Sequence, residues 1–143
     1  MKNALKRIQI EGFKTIRSCD LELRDLNALI GANGVGKSNF ISFFKMLNQM
    51  MPDNFYQWIQ NAGGANSILF RGVKVTTKIN GILEYKFEDG LRIYTFTLSH
   101  ILAGDGMVIT KEEISSRLIN GDQEYLHNRL SDRKSTRLNS SHG

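Results

Sequence analysis

One octet near the N-terminus, residues 31–38, constrains this chain more than any other segment. It reads Gly-Ala-Asn-Gly-Val-Gly-Lys-Ser and completes the pattern Gly-x4-Gly-Lys-Ser. Glycines lack a Cβ atom, so the backbone can turn tightly and bring its N–H groups close to phosphate oxygens. A lysine adds a cation for the β- and γ-phosphates, and a serine hydroxyl is a ligand for Mg²⁺. The octet therefore predicts a loop that binds a nucleoside triphosphate, with Lys37 and Ser38 in these two roles.

The segments on either side of the octet support this interpretation. Residues 26–30 form a short apolar run, which is typical of a strand buried on both faces of a sheet. A helix starting near Lys37 is predicted to follow, with its positive dipole end directed at the phosphates, and Pro52 ends its pattern. The apolar face of this helix repeats at helical spacing. That face comprises Phe40, Phe43, Phe44, Leu47 and Met51, and it is widened by Ile41 and Met50.

Alternation of apolar and polar residues predicts antiparallel strands on both sides of this helix. Ile8 and Ile10 alternate with polar neighbours, residues 21–23 alternate again, and residues 17–20 link the two segments into a hairpin-like pair. From Val73 the sequence is strongly β, and it is predicted to form an antiparallel meander. Its turns are expected at residues 89–90, 104–106 and 120–122. One strand face would hold Gly81, Leu83, Tyr85 and Phe87, and the next would hold Arg92, Tyr94, Phe96 and Leu98.

Composition narrows the class of protein. The 143 residues fit one domain or part of a larger one, and 41% of them are apolar, near the globular average. Cys19 is the single cysteine, so a disulfide within the chain is excluded and a reducing cytoplasm is the expected compartment. No run approaches the ~18 apolar residues of a membrane span, so we expect no membrane partner. The net charge of +5 is compatible with an anionic partner but does not establish DNA binding.

The C-terminal stretch, residues 132–142, lacks any core-forming pattern. It reads Asp-Arg-Lys-Ser-Thr-Arg-Leu-Asn-Ser-Ser-His, which matches, one codon per residue, the conceptual translation of a common sequencing-library adapter. We therefore expect the genuine reading frame to be interrupted near Ser131 and residues 132–143 to be a non-native tail.

Two segments together resemble a known family. Residues 10–16, Ile-Glu-Gly-Phe-Lys-Thr-Ile, followed by residues 26–39, are similar to the start of the RecF/SMC-like branch of ABC-type ATPases. These are often described simply as AAA family ATPases, and OLD-family nucleases share the same head. The resemblance covers roughly residues 7–118 and implies an α/β fold of the P-loop NTPase class. The expected architecture is an incomplete ABC-ATPase-like head over residues 1–131, with hairpin, loop and first helix in 1–52 and an antiparallel β arm in 63–125.

The resemblance also implies a function and a set of site residues. ATP with Mg²⁺ would bind between two protomers of a homodimer, and many members act on DNA in repair, chromosome maintenance or anti-phage defence. Carried over by position, Lys37 would be catalytic, Ser38 would hold Mg²⁺, and Lys14 would lie near the nucleotide. The residues expected to contact the nucleotide are Gly31, Asn33, Gly34, Val35, Gly36, Lys37, Ser38 and Asn39.

Several motifs of that family are missing from the sequence. We find no signature motif, no apolar run ending in Asp-Glu, and no histidine in the context of a switch residue. These absences agree with an interrupted reading frame, and the fragment alone is not expected to complete a site for ATP hydrolysis.

Other functions remain open. The head could regulate a nuclease domain downstream, serve a transporter as its ATPase subunit, or bind nucleotide as a scaffold without turnover. A small GTPase fits the octet, but its base-reading Asn-Lys-x-Asp is absent. The dinucleotide fingerprint G-x-G-x-x-G fails because Asn33 takes the place of its second glycine.

Overall fold

The computed structural model of the protein describes residues 4–23, 34–50, 55–101, 105–118 and 124–128, with the backbone alone at 34–37 and 124–128. Six strands and three helices occur in these residues. In chain order they are β1 (Ala4–Phe13), β2 (Ile16–Glu22), α1 (Gly34–Met50), α2 (Phe55–Asn61), α3 (Ala65–Ile68), β3 (Lys78–Phe87), β4 (Gly90–Ile101), β5 (Gly106–Leu118) and β6 (Glu124–Asn128). None of the described helices has the length and apolar character needed to cross a membrane.

The six strands form one sheet in the order β2-β1-β3-β4-β5-β6, and every neighbouring pair is antiparallel. The predicted meander is confirmed for β3 to β6. Short turns can join only antiparallel neighbours, since a parallel pair needs a long crossover connection. The described part is therefore an antiparallel sheet with few helices, unlike the α/β arrangement that we expected.

The hairpin and the meander share this sheet, because β1 pairs with both β2 and β3. The strand predicted at residues 26–30 lies outside the described residues, as do residue 104 and residues 120–122 of the expected turns. The predicted boundaries of the hairpin, loop and first helix (1–52), of the β arm (63–125) and of the whole head (1–131) stay predictions.

The hairpin turn lies at a different place from the one predicted. Phe13 pairs with Ile16, so the chain reverses at Lys14 and Thr15, and residues 17–20 belong to β2. The sequence pattern failed here because β2 lies at the edge of the sheet and most of its residues are exposed, which removes the apolar alternation. The prediction for β1 is confirmed, because Ile8 and Ile10 are both fully buried.

Helix α1 covers one face of the sheet. Phe40 and Phe43 are buried as the spacing predicted, and Met50, which was expected to widen the face, is buried too. Phe44 and Leu47 are half-buried against the core, and Met51 lies outside the described residues. The helix ends at Met50. Ile41 was wrongly placed on this face and is 41% exposed. It lies two residues before the buried Phe43, and two residues along a helix rotate the side-chain direction by about 200°. Met46, which the prediction left out, is fully buried.

Two short helices precede the meander where no helix was predicted. Helix α2 buries Phe55 and Ile59, which lie at the i, i+4 spacing of one helical face. Gly63 and Gly64, both at positive φ, then turn the chain into α3. As a result β3 begins at Lys78, five residues after the predicted β onset at Val73.

The meander hairpin between β3 and β4 occurs where the sequence predicted it, with Glu88 and Asp89 between the paired residues Phe87 and Gly90. Gly81 faces Phe96 across these two strands. A Cβ atom at Gly81 would lie 2.3 Å from the Phe96 ring, which is itself fully buried. Glycine at this position therefore creates the space that the Phe96 ring occupies.

We expect Gly81→Ala to lower the free energy of unfolding by about 1–3 kcal/mol, because the added methyl group overpacks a buried ring that cannot move aside. Urea unfolding of the wild type and the variant would measure this change. Gly106→Ala is the matched control, since its Cβ would meet nothing closer than 3.4 Å. Equal losses of stability in the two variants would contradict the prediction.

Candidate nucleotide-binding site

The octet leads directly into helix α1. The helix begins at Gly34, three residues before Lys37, where the sequence analysis expected its start. Glycine is costly inside a helix, by about 1 kcal/mol relative to alanine, but is not excluded there. Ser38 is exposed near the start of the helix. Residues 31–33 and the side chains of residues 34–37 lie outside what the structure describes, so their predicted contacts remain predictions.

The turn between β1 and β2 docks against the start of α1. The Asn39 side-chain amide donates a hydrogen bond of 2.5 Å from Nδ2 to Oγ1 of Thr15. Asn39 directly follows Ser38, so this contact places the turn beside the last residue of the octet. The structure thereby brings together two segments that the sequence analysis assigned to the nucleotide from separate parts of the chain.

Residues 68–70 hold this turn from the other side. The Lys14 amide donates to the Ile68 carbonyl at 2.8 Å, and the Phe70 amide donates to the Gly12 carbonyl, also at 2.8 Å. Phe13 forms an isolated antiparallel bridge with Leu69 between these two bonds. The contribution of residues 68–70 was not predicted. The apolar Ile-Leu-Phe run after the two glycines was the sequence signal for a buried segment there.

Phe13 anchors the turn in the core. Its side chain is fully buried and meets Phe43 of α1 edge to face, with ring centroids 5.4 Å apart. Such an aromatic pair contributes about 0.5–1.5 kcal/mol beyond the area it buries. The backbone of the turn is therefore fixed relative to the helix by packing as well as by hydrogen bonds.

Lys14 occupies an unusual backbone conformation in this turn. Its φ of 49° lies in the left-handed region, which costs a residue with a Cβ atom about 1–2 kcal/mol. Its Nζ lies 5.7 Å from the centroid of the Phe13 ring. Lys14 thus sits one residue from the contact with Asn39, and its role in nucleotide binding stays a prediction.

The start of α1 suits an anion. The first turn contains no acidic residue, so no carboxylate opposes the positive end of the helix dipole. Among the described residues, no three His, Cys, Asp or Glu side chains gather into a metal site.

Other ionisable groups near the hairpin have structural roles. The Arg7 guanidinium hydrogen-bonds to Asp20 through two contacts, at 2.8 and 2.6 Å, and this lowers the pKa of the Asp20 carboxyl. Burial raises the pKa of the Cys19 thiol. Cys19 is therefore a protonated, packed side chain at neutral pH and not an activated nucleophile.

A cavity of about 330 Å³ lies near the other end of α1, where Leu47 and Asn48 face Tyr85 and Tyr94. Burial raises the pKa of Tyr85. Asn48 follows Ser38, the last residue of the octet, by 10 residues, so this cavity lies roughly 15 Å along the helix from the octet. It is consequently too distant to be part of the triphosphate site.

Comparison with known proteins gives the family. The family model described as "AAA ATPase domain" matches residues 1–140. The chain belongs to the AAA ATPase domain family. Searches of curated proteins and of solved structures found no match. Membership supports ATP binding and an ATPase as the parent protein. The match also extends into residues 132–140, so the adapter origin of that stretch remains a prediction.

The contact between Asn39 and Thr15 can be tested in this AAA ATPase domain. We expect Asn39→Ala to weaken Mg²⁺–ATP binding several-fold, because the turn loses its side-chain hydrogen bond to the start of the helix. The free energy of unfolding should fall by only about 0.5–1.5 kcal/mol, the net contribution of one hydrogen bond. Isothermal titration calorimetry and urea unfolding would measure the two effects.

Asn48→Ala, at an exposed asparagine of the same helix, is the matched control and should leave ATP affinity unchanged. Thr15→Val should also weaken binding, and the double variant should bind no more weakly than Asn39→Ala, which already lacks both the contact with Thr15 and its own contact with the nucleotide. Additive losses would show that the two side chains act independently, contrary to the prediction.

Proposed function

We propose that this chain binds ATP with Mg²⁺ through residues 31–38 and that its parent protein hydrolyses ATP. One observation carries the proposal: the complete Gly-x4-Gly-Lys-Ser pattern runs into the start of the 17-residue helix α1. Backbone N–H groups at a helix start and the helix dipole both favour phosphate. Membership of the AAA ATPase domain family supports the same conclusion.

The proposal assigns a task to each part of the site. Lys37 neutralises the β- and γ-phosphates and stabilises the charge that develops during hydrolysis, while Ser38 ligates Mg²⁺. Lys14 supplies a second cation from the β1–β2 turn. The remaining contacts come from Gly31, Asn33, Gly34, Val35, Gly36 and Asn39.

We further propose that the parent protein is an ABC-type ATPase of the RecF/SMC-like branch, acting as a cytoplasmic homodimer on DNA. The antiparallel hairpin and meander, joined in one sheet beside α1, support this assignment because that branch carries an antiparallel β arm next to its first helix. A regulatory head of an OLD-like nuclease would share these features. A carboxylate-rich domain encoded further along the gene would favour the nuclease, and its absence would favour the motor or switch.

The decisive test removes the cation of the octet. We expect Lys37→Ala to raise the Kd for Mg²⁺–ATP at least about tenfold, which corresponds to about 1.4 kcal/mol of lost binding free energy. Titration calorimetry on this chain measures affinity, and phosphate release by the full-length protein measures turnover. The ATP affinity and the rate of phosphate release should both fall steeply in Lys37→Ala.

Lys45→Ala is the matched control, because Lys45 is an exposed lysine on the same helix, two turns further along. Ser38→Ala should weaken ATP binding in the presence of Mg²⁺ and have little effect in its absence. If Lys37→Ala and Lys45→Ala bind ATP equally well, the octet is not the nucleotide site.

The adapter origin of residues 132–142 is a separate proposal about the source DNA. Resequencing across codon 131 from DNA prepared without adapters should give a different continuation of the reading frame. Recovery of the same tail would show that these residues are native.

A further inference from the structure

Four exposed cationic residues surround one end of the sheet. They are Arg17 on β2, Arg71 and Lys74 in the connection between α3 and β3, and Lys78 at the start of β3. We refer to these four residues as the basic rim. Three of them fall within residues 71–78, which contain no acidic residue, and Arg17 joins them from a distant part of the chain.

Contacts with Gly12 bring the rim together. Gly12 lies opposite Arg17, because its neighbours Glu11 and Phe13 pair with Ser18 and Ile16. On the other side, the Lys78 carbonyl lies 2.5 Å from the position a Cβ atom of Gly12 would take. Only a glycine, here at a φ of +80°, permits this approach. Because β1 lies between β2 and β3, Arg17 and Lys78 are two strand spacings, about 10 Å, apart.

The connection between α3 and β3 places the other two cations beside the same glycine. Arg71 follows Phe70, whose amide donates to the Gly12 carbonyl. The chain then turns, with the amides of Val75 and Thr76 both donating to the Gly72 carbonyl. This turn brings the Thr76 methyl group against Gly12, and Lys74 lies in the same turn, two residues before Thr76.

The rim cations form no ion pairs with the described residues, whereas three of the other cations on the sheet do. Arg7 pairs with Asp20, Arg92 with Asp89 and Lys111 with Glu113. Glu11, beside Gly12, is exposed and bonds to none of the four rim residues. Four like charges in this region raise the local positive potential, which attracts an extended anion.

Arg71 adds a second observation. Within the described residues, Lys14 and Arg71 are the two non-glycine residues with positive φ, at 49° and 58°. Glycine or asparagine would occupy these positions at lower cost. The Arg71 guanidinium carbon lies over the Phe70 ring, 5.3 Å from its centroid, and this contact favours arginine here while the charge stays exposed.

We propose that the basic rim binds the phosphodiester backbone of a nucleic acid. The rim is about 10 Å wide, and a duplex presents about one negative charge per 1.7 Å of its axis, so several phosphates can face it at once. Four cations spread over this width suit such an extended anion better than the single triphosphate at the start of α1. The proposal gives the nucleic-acid partner of the proposed function a surface, and it does not depend on the nucleotide site.

Binding of a labelled 30-base-pair duplex and of a single-stranded RNA of equal length tests the rim. We expect the full chain to bind at least one of them, with a salt dependence set by counterion release. The combined variant Arg17→Ala, Arg71→Gly, Lys74→Ala should lose roughly tenfold or more in affinity at low salt. Its slope of log K against log salt should be shallower by about 0.9 for each lost contact with a phosphate.

Arg71→Gly alone separates charge from structure. It relieves the positive φ, so the urea midpoint should stay equal or rise while nucleic-acid affinity falls. Arg71→Lys should retain most of the affinity. Lys86→Ala, at an exposed lysine on the opposite end of β3, is the control and should bind as the wild type does.

Three outcomes would overturn the proposal: no binding of DNA or RNA by the wild type, equal binding by the rim variants, or loss of ATP affinity in the rim variants with nucleic-acid affinity unchanged. In the last case the rim serves the nucleotide. Failure of the proposed nucleotide site appears separately, as wild-type ATP affinity in Lys37→Ala.

Discussion

The packing of Phe43 determines how the described parts of the molecule fit together. Its ring meets Phe13 of the hairpin edge to face and stacks on Phe96 of the meander at 6.0 Å. One side chain of α1 therefore touches both halves of the sheet. Phe96 can lie there only because Gly81, across the strand pair, has no side chain. Helix position thus depends on a glycine about 40 residues further along the chain, which no local pattern around the helix reveals.

This packing also sets the geometry of the candidate site. Phe13 is held by the core, and its neighbours in the turn are held by residues 68–70 and by Asn39. The start of α1 is consequently approached by a rigid turn and not by a free loop. Backbone contacts with Gly12 also bring the four cations of the basic rim together. The β1–β2 turn and the residue before it therefore position both the candidate nucleotide site and the basic rim.

The sequence predicted the elements whose signal is local. The octet, the apolar stripe of α1 and the meander around residues 89–90 depend on spacing within one segment, and the structure has the helix and the strands there. The β1–β2 turn was misplaced because edge strand β2 exposes most of its residues. The contact between Asn39 and Thr15, the bridge between Phe13 and Leu69, and the basic rim could not be predicted, because each joins segments whose meeting depends on strand order.

The interior position of β1, between β2 and β3, has a consequence for synthesis of the chain. Ala4 pairs with Lys86, so β1 is synthesised long before β3 and waits for it before its second edge is covered. Until then the hairpin exposes Ile8 and Ile10 and an unpaired strand edge, a combination that favours wrong partners. Closing so long a loop makes this pairing slow compared with the local turns of the meander. Expression at low temperature or with chaperones should therefore increase the yield of folded protein more than amino-acid substitutions within the meander would.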